Sequence, residues 1–196
     1  MKQSAPFSAL ARTLEDVRST RSKNEKVRIL AAYLSGLQPE DAETAARVST
    51  GRSSKRGSKD EAQVGYSTLL EVVKEVTGAR SEQVSKAYLR HGDLGEVAEG
   101  LLGEKKEQTL FQEPLTLRDL EDTFAKLRST KGKGSSVTRR ALVKSLILRA
   151  TPIEGKYVVK VLTGEMRTGL VSGLVEEAIS QAYSVQKEEV VRAHML

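Results

Sequence analysis

Cysteine and tryptophan are absent from the 196-residue chain, and histidine occurs only twice. The absence of cysteine excludes disulfide frameworks, thiol catalysis and cysteine-ligated zinc sites. Two histidines without cysteine give little support to a nucleophilic triad. Three phenylalanines and five tyrosines provide few platforms for base stacking, so contact with a duplex backbone is favoured over binding of single-stranded nucleic acid.

Long apolar runs are also missing. No stretch of about 18 apolar residues occurs, and no charged segment leads into an apolar one at the N-terminus, so we expect neither a membrane span nor a secretory signal. The default expectation is an intracellular protein. A chain of this length buries roughly 70% of its unfolded surface, so it can fold as one large domain or two small lobes without disulfides or metals.

The phosphate-binding motifs of enzymes do not occur. Gly132 to Ser135 read GKGS, which lacks the upstream glycine and the Gly-Lys-Ser order of a Walker loop. Neither a G-x-G-x-x-G run nor a Lys-x-Asp-Gly sequence, which would supply a nucleotidyl-accepting lysine, is present. His91 stands alone, and a metal or catalytic role would need partners. We therefore predict no catalytic residue, no metal site and no cofactor in this chain.

Positive charge is in excess, with a formal net charge of +6 and a pI of about 9.5. The stretch from Thr123 to Ile153 contains no Asp or Glu, and its two helix-like segments flank a Gly/Ser/Lys loop. Loop N–H groups, the positive end of the second helix and the cations all favour an anion at one place. The cations of this stretch are Lys126, Arg128, Lys131, Lys133, Arg139, Arg140, Lys144 and Arg149.

Apolar residues recur at helical spacing along most of the chain, and strand-like alternation is nearly absent. The sequence therefore predicts an all-α fold of about eleven helices. Pro39, Thr116 and Thr151 mark helix starts, because proline suits the first turn and threonine caps it. Gly78 and Gly164 mark helix ends, because glycine readily adopts the left-handed conformation found there.

Two further expectations concern the middle of the chain. Asp93 and Glu96 have the spacing of a capping box for a short helix. In the preceding helix, which we expect Ser81 to cap, the residues predicted to face inward are Val84, Tyr88 and Leu89.

Two polar segments interrupt the helical pattern. Residues 49–59 (STGRSSKRGSK) have almost nothing to bury and predict a mobile loop, either a solvated linker or a DNA-touching segment. Residues 104–115 are polar, end near a proline and form the best internal boundary. They divide a single domain, 1–196, into an N-terminal half, about 1–103, and a C-terminal half, 116–196.

The two halves repeat each other in part. The run from Val17 to Arg21 matches the run from Leu127 to Lys131, and three extra residues in the second loop then align Lys26 with Arg139. A repeat predicts two helical half-domains related by pseudo-twofold symmetry, with both basic corners on one face. The alternative is a chance match, because the shared segment is short and all helices share one periodicity.

The order of motifs resembles a known family. From Leu117 to Tyr183 the chain has a helix, a basic Gly/Ser loop, a helix, an acidic residue opening the next helix, and the turn Gly-x-x-Arg-x-Gly-Leu at 164–170. This order resembles the N-terminal DNA-binding domain of ATP-dependent DNA ligases. The run GDLGEVA at 92–98 is similar to the middle of that domain, whereas 50–65 shows little similarity.

The resemblance implies an all-α, pseudo-twofold domain that grips duplex, nicked DNA from the minor-groove side, largely through the backbone, during replication or repair. The adenylation domain and the OB-fold domain are not in this chain, so ATP and Mg²⁺ are expected only for a parent ligase. We further expect a monomer, located in the cytoplasm with the nucleoid if prokaryotic. The implied DNA contacts are Thr20, Ser22, Lys26, Lys131, Gly132, Lys133, Gly134, Ser135, Ser136, Arg139, Arg167 and Gly169.

Two other interpretations stay open at this point. One is a free-standing helical DNA-binding protein that reuses the fold. The other is a helical adaptor for protein partners, in which the basic loop is merely solvated.

Overall fold

The computed structural model describes residues 3–54, 62, 64–104 and 113–195, with the side chains of 194 and 195 excepted. Within these ranges the chain is all-α, as predicted, with one isolated antiparallel bridge and no strand. The eleven helices are α1 Phe7–Ser19, α2 Lys23–Leu34, α3 Pro39–Ser49, α4 Tyr66–Thr77, α5 Ser81–His91, α6 Leu94–Gly103, α7 Leu117–Ser129, α8 Ser135–Arg149, α9 Pro152–Thr163, α10 Ser172–Tyr183 and α11 Lys187–Met195.

Local capping chemistry sets several helix bounds. Before α7, Thr116 Oγ1 accepts the N–H of Asp119 at 3.1 Å, while the Asp119 carboxylate accepts the N–H of Thr116 at 2.9 Å. Before α9, the Glu154 carboxylate accepts the N–H of Thr151 at 2.8 Å. Gly164 ends α9 with φ +77°. These groups satisfy backbone donors and acceptors that helix ends leave unpaired, so the predicted starts and ends are confirmed here.

One continuous apolar core runs through both halves of the chain. The predicted stripe of α1 is confirmed, because Phe7, Leu10, Leu14 and Val17 are all fully buried. Packing of α6 on α9 and of α10 on α2 joins elements from the two halves. Of the helices described, none is both long and apolar enough to cross a membrane.

The contacts between the halves are reciprocal. Pro6 and Thr116 form the antiparallel bridge: the N–H of Phe7 donates to the carbonyl of Leu115 at 2.7 Å, and the N–H of Leu117 donates to that of Ala5 at 2.9 Å. In the same way α3 packs on α7, while α9 packs on α1. The start of each half is therefore anchored on the start of the other.

The prediction for α5 is wrong in part. Val84 is buried, but Leu89 is 88% exposed and Tyr88 is 39% exposed. Tyr88 instead meets Tyr66 edge to face, with ring centroids 5.8 Å apart. The N-cap is Arg80, and Ser81 is the first helical residue. Helical spacing alone does not say which of two neighbouring apolar positions meets the core.

The capping box before α6 is only half present. Asp93 caps the helix by accepting the N–H groups of Gly95 at 2.8 Å and Glu96 at 3.2 Å. The carboxylate of Glu96, however, pairs with Arg18 at 3.1 Å and with Lys156 at 3.1 Å. Tertiary ion pairs therefore take the place of the reciprocal cap.

The polar segment after α3 is partly buried, against expectation. Ser53 and Ser54 are fully or almost fully inaccessible. Ser53 Oγ accepts the N–H of Ala62 at 3.0 Å, and its carbonyl accepts a hydrogen bond from Arg128. Hydrogen bonds of Ser53, which composition does not reveal, hold that serine inside, whereas Ser54 Oγ is buried without a hydrogen-bond partner among the described residues. The rest of the predicted loop, from 55 onwards, and residues 105–112 of the predicted linker lie outside the described residues.

Candidate nucleic-acid interface

The first corner is the turn between α1 and α2. Ser22 is the N-cap of α2, and its Oγ accepts the N–H of Glu25 at 3.3 Å. Thr20 Oγ1 accepts the N–H of Ser22 at 3.2 Å. Arg21 and Lys23 are exposed on either side of the cap. The corner therefore presents two cations beside the positive end of a helix, where an anion is stabilised.

Lys26, a predicted DNA contact, lies inside the protein. It is 7% exposed, and its Nζ donates to the carbonyl of Val17 at 2.7 Å and to that of Thr168 at 2.5 Å. Burial lowers the pKa of the Lys26 ammonium below its ordinary value. Lys26 thus links the end of α1 to the turn that follows α9, and a direct contact with phosphate stays a prediction.

The second corner connects α7 to α8 through residues 130–134. Gly132 and Gly134 have φ of +86° and +84°, a conformation that favours glycine. Lys131, just before Gly132, and Lys133, between the two glycines, are both exposed. Gly134 is the N-cap of α8, no side chain caps this end, and the first turn has no acidic residue. The corner is therefore an open, basic helix N-terminus.

Helix α8 begins at Ser135, so its first turn contains two serines. Ser135 is half-buried and Ser136 is exposed. Arg139 is half-buried, and its Nη1 donates to the carbonyl of Leu127 at 2.6 Å. This bond has the same form as the bond from Lys26 to Val17 in the first corner.

The third predicted element is the turn from Gly164 to Leu170. Arg167 has φ +51°, which is uncommon for a residue with a side chain. Its guanidinium is half exposed, and it donates to the carbonyl of Gly92 at 2.9 Å and to the Glu165 carboxylate at 2.7 Å. Gly169 has φ +73°, and a Cβ there would lie 3.2 Å from Lys26 Nζ. The conformation favours glycine at 169, and a Cβ there would press on the Lys26 ammonium.

Asp93 contacts this turn through its carboxylate. Its carboxylate lies 3.6 Å from Arg167 Nε and accepts from Lys160 Nζ at 2.5 Å. Burial alone raises the pKa of Asp93, but the hydrogen bond and charge of Lys160 bring the pKa below its ordinary value. The charged carboxylate therefore ties the Arg167 turn to α9.

Two buried lysines were missed by the sequence analysis. Lys160 is 1% exposed and Lys156 is 2% exposed on α9. Lys156 Nζ lies within 3.1 Å of carboxylates of Glu15, Glu96 and Glu99. The signal in the sequence was the four-residue spacing of the two lysines on an otherwise apolar helix, which places both on one face. These ion pairs position α6 and α1 against α9.

The hydrogen bonds of Lys26 join the first corner to the Arg167 turn. In the second corner, Arg139 bonds to the end of α7. Within the described ranges, no group of three His, Cys, Asp or Glu side chains could hold a metal ion. His91 is exposed at the end of α5.

Comparison with known proteins identifies a matching family and several relatives. Residues 6–180 match the family model described as DNA ligase N terminus. A probable DNA ligase of Koribacter versatilis is 38% identical over 188 residues, which is 95% of this chain and 31% of the relative. The DNA ligases of Methanopyrus kandleri and Archaeoglobus fulgidus are 31% and 32% identical over 97% and 98% of this chain, and the match covers 34% of each. The chain thus spans about a third of the length of these relatives.

Proposed function

Because the chain belongs to the family of DNA ligase N-terminal domains, we propose that it binds duplex DNA through the phosphate backbone. Binding is from the minor-groove side, has little sequence preference, and holds the two ends of a nick in register. The net charge of +6 supports a polyanionic partner. Contacts with phosphate position a protein on a duplex without carrying sequence information.

The second corner is the observation that carries this proposal. Exposed lysines at 131 and 133 alternate with left-handed glycines, and the loop opens onto the uncapped N-terminus of α8. Glycine lets a phosphate approach the backbone, the N–H groups of α8 point toward it, and the lysines neutralise it. Ser135 and Ser136 add hydroxyl donors at the same place.

The Arg167 turn supports a second contact zone beside the first corner. Arg167 holds a left-handed conformation that costs on the order of 1–3 kcal/mol, and such conformations concentrate at functional sites. Its guanidinium remains half exposed although three groups hold it. We propose that Arg167 reaches the DNA backbone or groove. Gly169 and the first-corner residues Thr20 and Ser22 contact the neighbouring phosphates.

We infer that the two halves are related by a pseudo-twofold exchange. The reciprocal bridge between Pro6 and Thr116 supports it, because exchanging the halves converts each of its hydrogen bonds into the other. The paired packing of α3 on α7 and α9 on α1 supports it as well. The exchange brings Lys26 onto Arg139, whose bonds to the preceding helix match. Two equivalent corners would hold phosphates at two separated points of one duplex.

The wider role is that of one domain in a larger enzyme. We propose that residues 1–196 form a single domain, with halves at about 1–103 and 116–196, and that a parent ligase carries the adenylation and OB-fold domains. ATP and Mg²⁺ would act in that adenylation domain. The domain described here contributes affinity and holds both nick ends, which is a positioning role.

Salt dependence distinguishes this function from the adaptor alternative. Binding of the 196-residue chain to a labelled nicked duplex is measured by fluorescence anisotropy from low to moderate salt. Contact with about five phosphates gives a log–log slope near −4 to −5. An intact duplex of a different sequence serves as the control and should show a similar slope. A flat response to salt would contradict duplex binding, and a large dependence on sequence would contradict backbone recognition.

A further inference from the structure

The Arg167 guanidinium already has acceptors inside the protein. Its Nη1 donates to the carbonyl of Gly92 at 2.9 Å, and its Nη2 donates to the Glu165 carboxylate at 2.7 Å. Its Nε lies 3.6 Å from the Asp93 carboxylate. A guanidinium grips a phosphate through two parallel N–H bonds, and Nη2 supplies one of them whether its neighbour is Nε or Nη1. Glu165 therefore holds the nitrogen that a phosphate would use.

The three acceptors differ in how easily they can leave. The Asp93 side chain is 7% exposed, caps α6 and accepts a hydrogen bond from Lys160, so it is fixed in place. The carbonyl of Gly92 belongs to the backbone at the end of α5. The Glu165 side chain, in contrast, is 60% exposed. Glu165 is thus the acceptor that a ligand can displace.

Displacement of Glu165 does not require the turn to move. The N–H of Glu165 donates to the carbonyl of Lys160 at 3.0 Å, which fixes the backbone at the end of α9. Rotation of the side chain alone moves the carboxylate into solvent. An ion pair between exposed side chains is weak, because water screens both charges and the two long side chains lose conformational freedom. A phosphate in the dense charge of a duplex is the stronger competitor.

We propose that Glu165 is an internal competitor for Arg167, which a DNA phosphate displaces when the duplex binds. The inference rests on the proposed duplex binding and identifies a residue that limits its affinity. In the free protein, the carboxylate orients the guanidinium and neutralises its charge. In the complex, Nη2 holds the phosphate and the carboxylate lies in solvent. Return of Glu165 to Arg167 favours release of the duplex.

General repulsion between a carboxylate and DNA is the competing explanation, and it differs in two respects. Repulsion acts at a distance, so it slows association and does not depend on Arg167. Competition for the guanidinium acts within the complex, so it speeds dissociation. Its effect also disappears when Arg167 is replaced. Kinetics and a double-mutant cycle therefore separate the two explanations.

The cycle combines Glu165→Gln, which keeps the shape of the side chain without its charge, with Arg167→Gln. Binding of the 196-residue chain to a labelled nicked duplex is measured by fluorescence anisotropy. Dissociation is followed by stopped flow after mixing with excess unlabelled duplex. Glu177→Gln is the matched control, because Glu177 forms an exposed ion pair with Lys187 at 3.2 Å outside the proposed contacts. Thermal unfolding checks that each variant is folded.

We expect Glu165→Gln to bind the duplex about threefold more tightly than the wild-type chain, mainly through slower dissociation. Glu177→Gln should bind as the wild type does. In the Arg167→Gln background, Glu165→Gln should bring no gain. An unchanged affinity, a gain equal to that of Glu177→Gln, or a gain that persists without Arg167 would each overturn the inference.

Failure of the proposed function gives a different result. A wild-type chain without salt-dependent duplex binding would overturn both the function and the inference. Salt-dependent binding that Arg167→Gln leaves unchanged would remove Arg167 from the contacts and overturn the inference. Salt-dependent binding that Arg167→Gln weakens, but that Glu165→Gln does not strengthen, would overturn the inference alone.

Discussion

The two basic corners share one framework but use their cations differently. In each, a long side chain near the start of the second helix donates to a carbonyl at the end of the first, from Lys26 to Val17 and from Arg139 to Leu127. Lys26 is buried and reaches a second carbonyl, that of Thr168, 142 residues away in the sequence. The first corner thus carries the Arg167 turn, whereas the second corner ends in an open glycine loop.

The difference shows how one motif can serve two purposes. A side-chain cap, Ser22, closes the first corner, and the neighbouring turn from α9 enlarges its surface. The second corner is longer and glycine-rich, and no side chain caps the start of its second helix. We infer that the first corner contributes mainly a rigid, composite surface and the second contributes mainly charge and backbone donors.

Replacing Lys26 or Arg139, the cations that bond to carbonyl groups in the two corners, tests how each corner is stabilised. This should give the largest effect. Lys26→Met leaves two buried carbonyls without a donor, so we expect a loss of about 2 kcal/mol in the free energy of unfolding. Arg139→Met leaves one half-buried carbonyl and should cost about 1 kcal/mol. Urea denaturation measures both, with Lys23→Met as an exposed control. Equal losses at 26 and 139 would contradict the different roles of the corners.

Removing exposed lysines tests the binding side. Lys131→Ala with Lys133→Ala should weaken duplex binding about tenfold, or 1.4 kcal/mol, at low salt. The log–log salt slope should become less negative by about 2, because two phosphate contacts are lost. Stability should not change. The matched pair at the first corner, Arg21→Ala with Lys23→Ala, should have a smaller effect on affinity.

The same variants distinguish backbone contact from base readout. Losses that are equal for all duplex sequences agree with backbone contact, whereas a sequence-selective loss would indicate base readout at the second corner. A larger loss from the first-corner pair would reverse the assignment of charge to the second corner.

Lowering the pH should weaken the contact of Asp93 with the Arg167 turn. Of the three predicted effects, this one should be the smallest. The pKa of Asp93 is lowered in the fold, so its charge stabilises the protein fully above the unfolded pKa of about 4. This contribution is lost as pH falls below about 4 and through the lowered pKa. Asp93→Asn keeps an N-cap but removes the charge. The difference in unfolding free energy between wild type and Asp93→Asn should therefore shrink as pH falls from 6 to 3. A difference that stays constant would assign Asp93 a purely capping role.

Local chemistry made much of the fold predictable. The threonine–acid pairs before α7 and α9 and the glycine after α9 act within one turn of the helix, so their effect can be read from neighbouring residues. The apolar stripe of α1 was equally clear, since Phe7, Leu10, Leu14 and Val17 lie on one face. The exposed positions of Tyr88 and Leu89 were not predictable, because α5 has too few core contacts to select its inner face.

The sequence predicted which loops form the candidate site, but it did not predict how their side chains are buried and paired. Glycines and lysines marked the second corner correctly as an exposed basic turn. The burial of Lys26 could not be inferred, because its partner Thr168 is remote in sequence. The same holds for Lys156 and Lys160, whose partners lie on α1 and α6. Charged residues are rarely buried unless paired, and pairing is a tertiary property.

The bridge between Pro6 and Thr116 has a consequence for how the molecule folds. Each half begins on a backbone hydrogen bond to the other, so neither α1 nor α7 is anchored until two distant parts of the chain meet. Closing so long a loop costs entropy before the contacts form, and folding slows as contacts become less local. The domain should therefore form both corners in one late, cooperative step. A chain emerging during synthesis would then form the complete candidate interface at once.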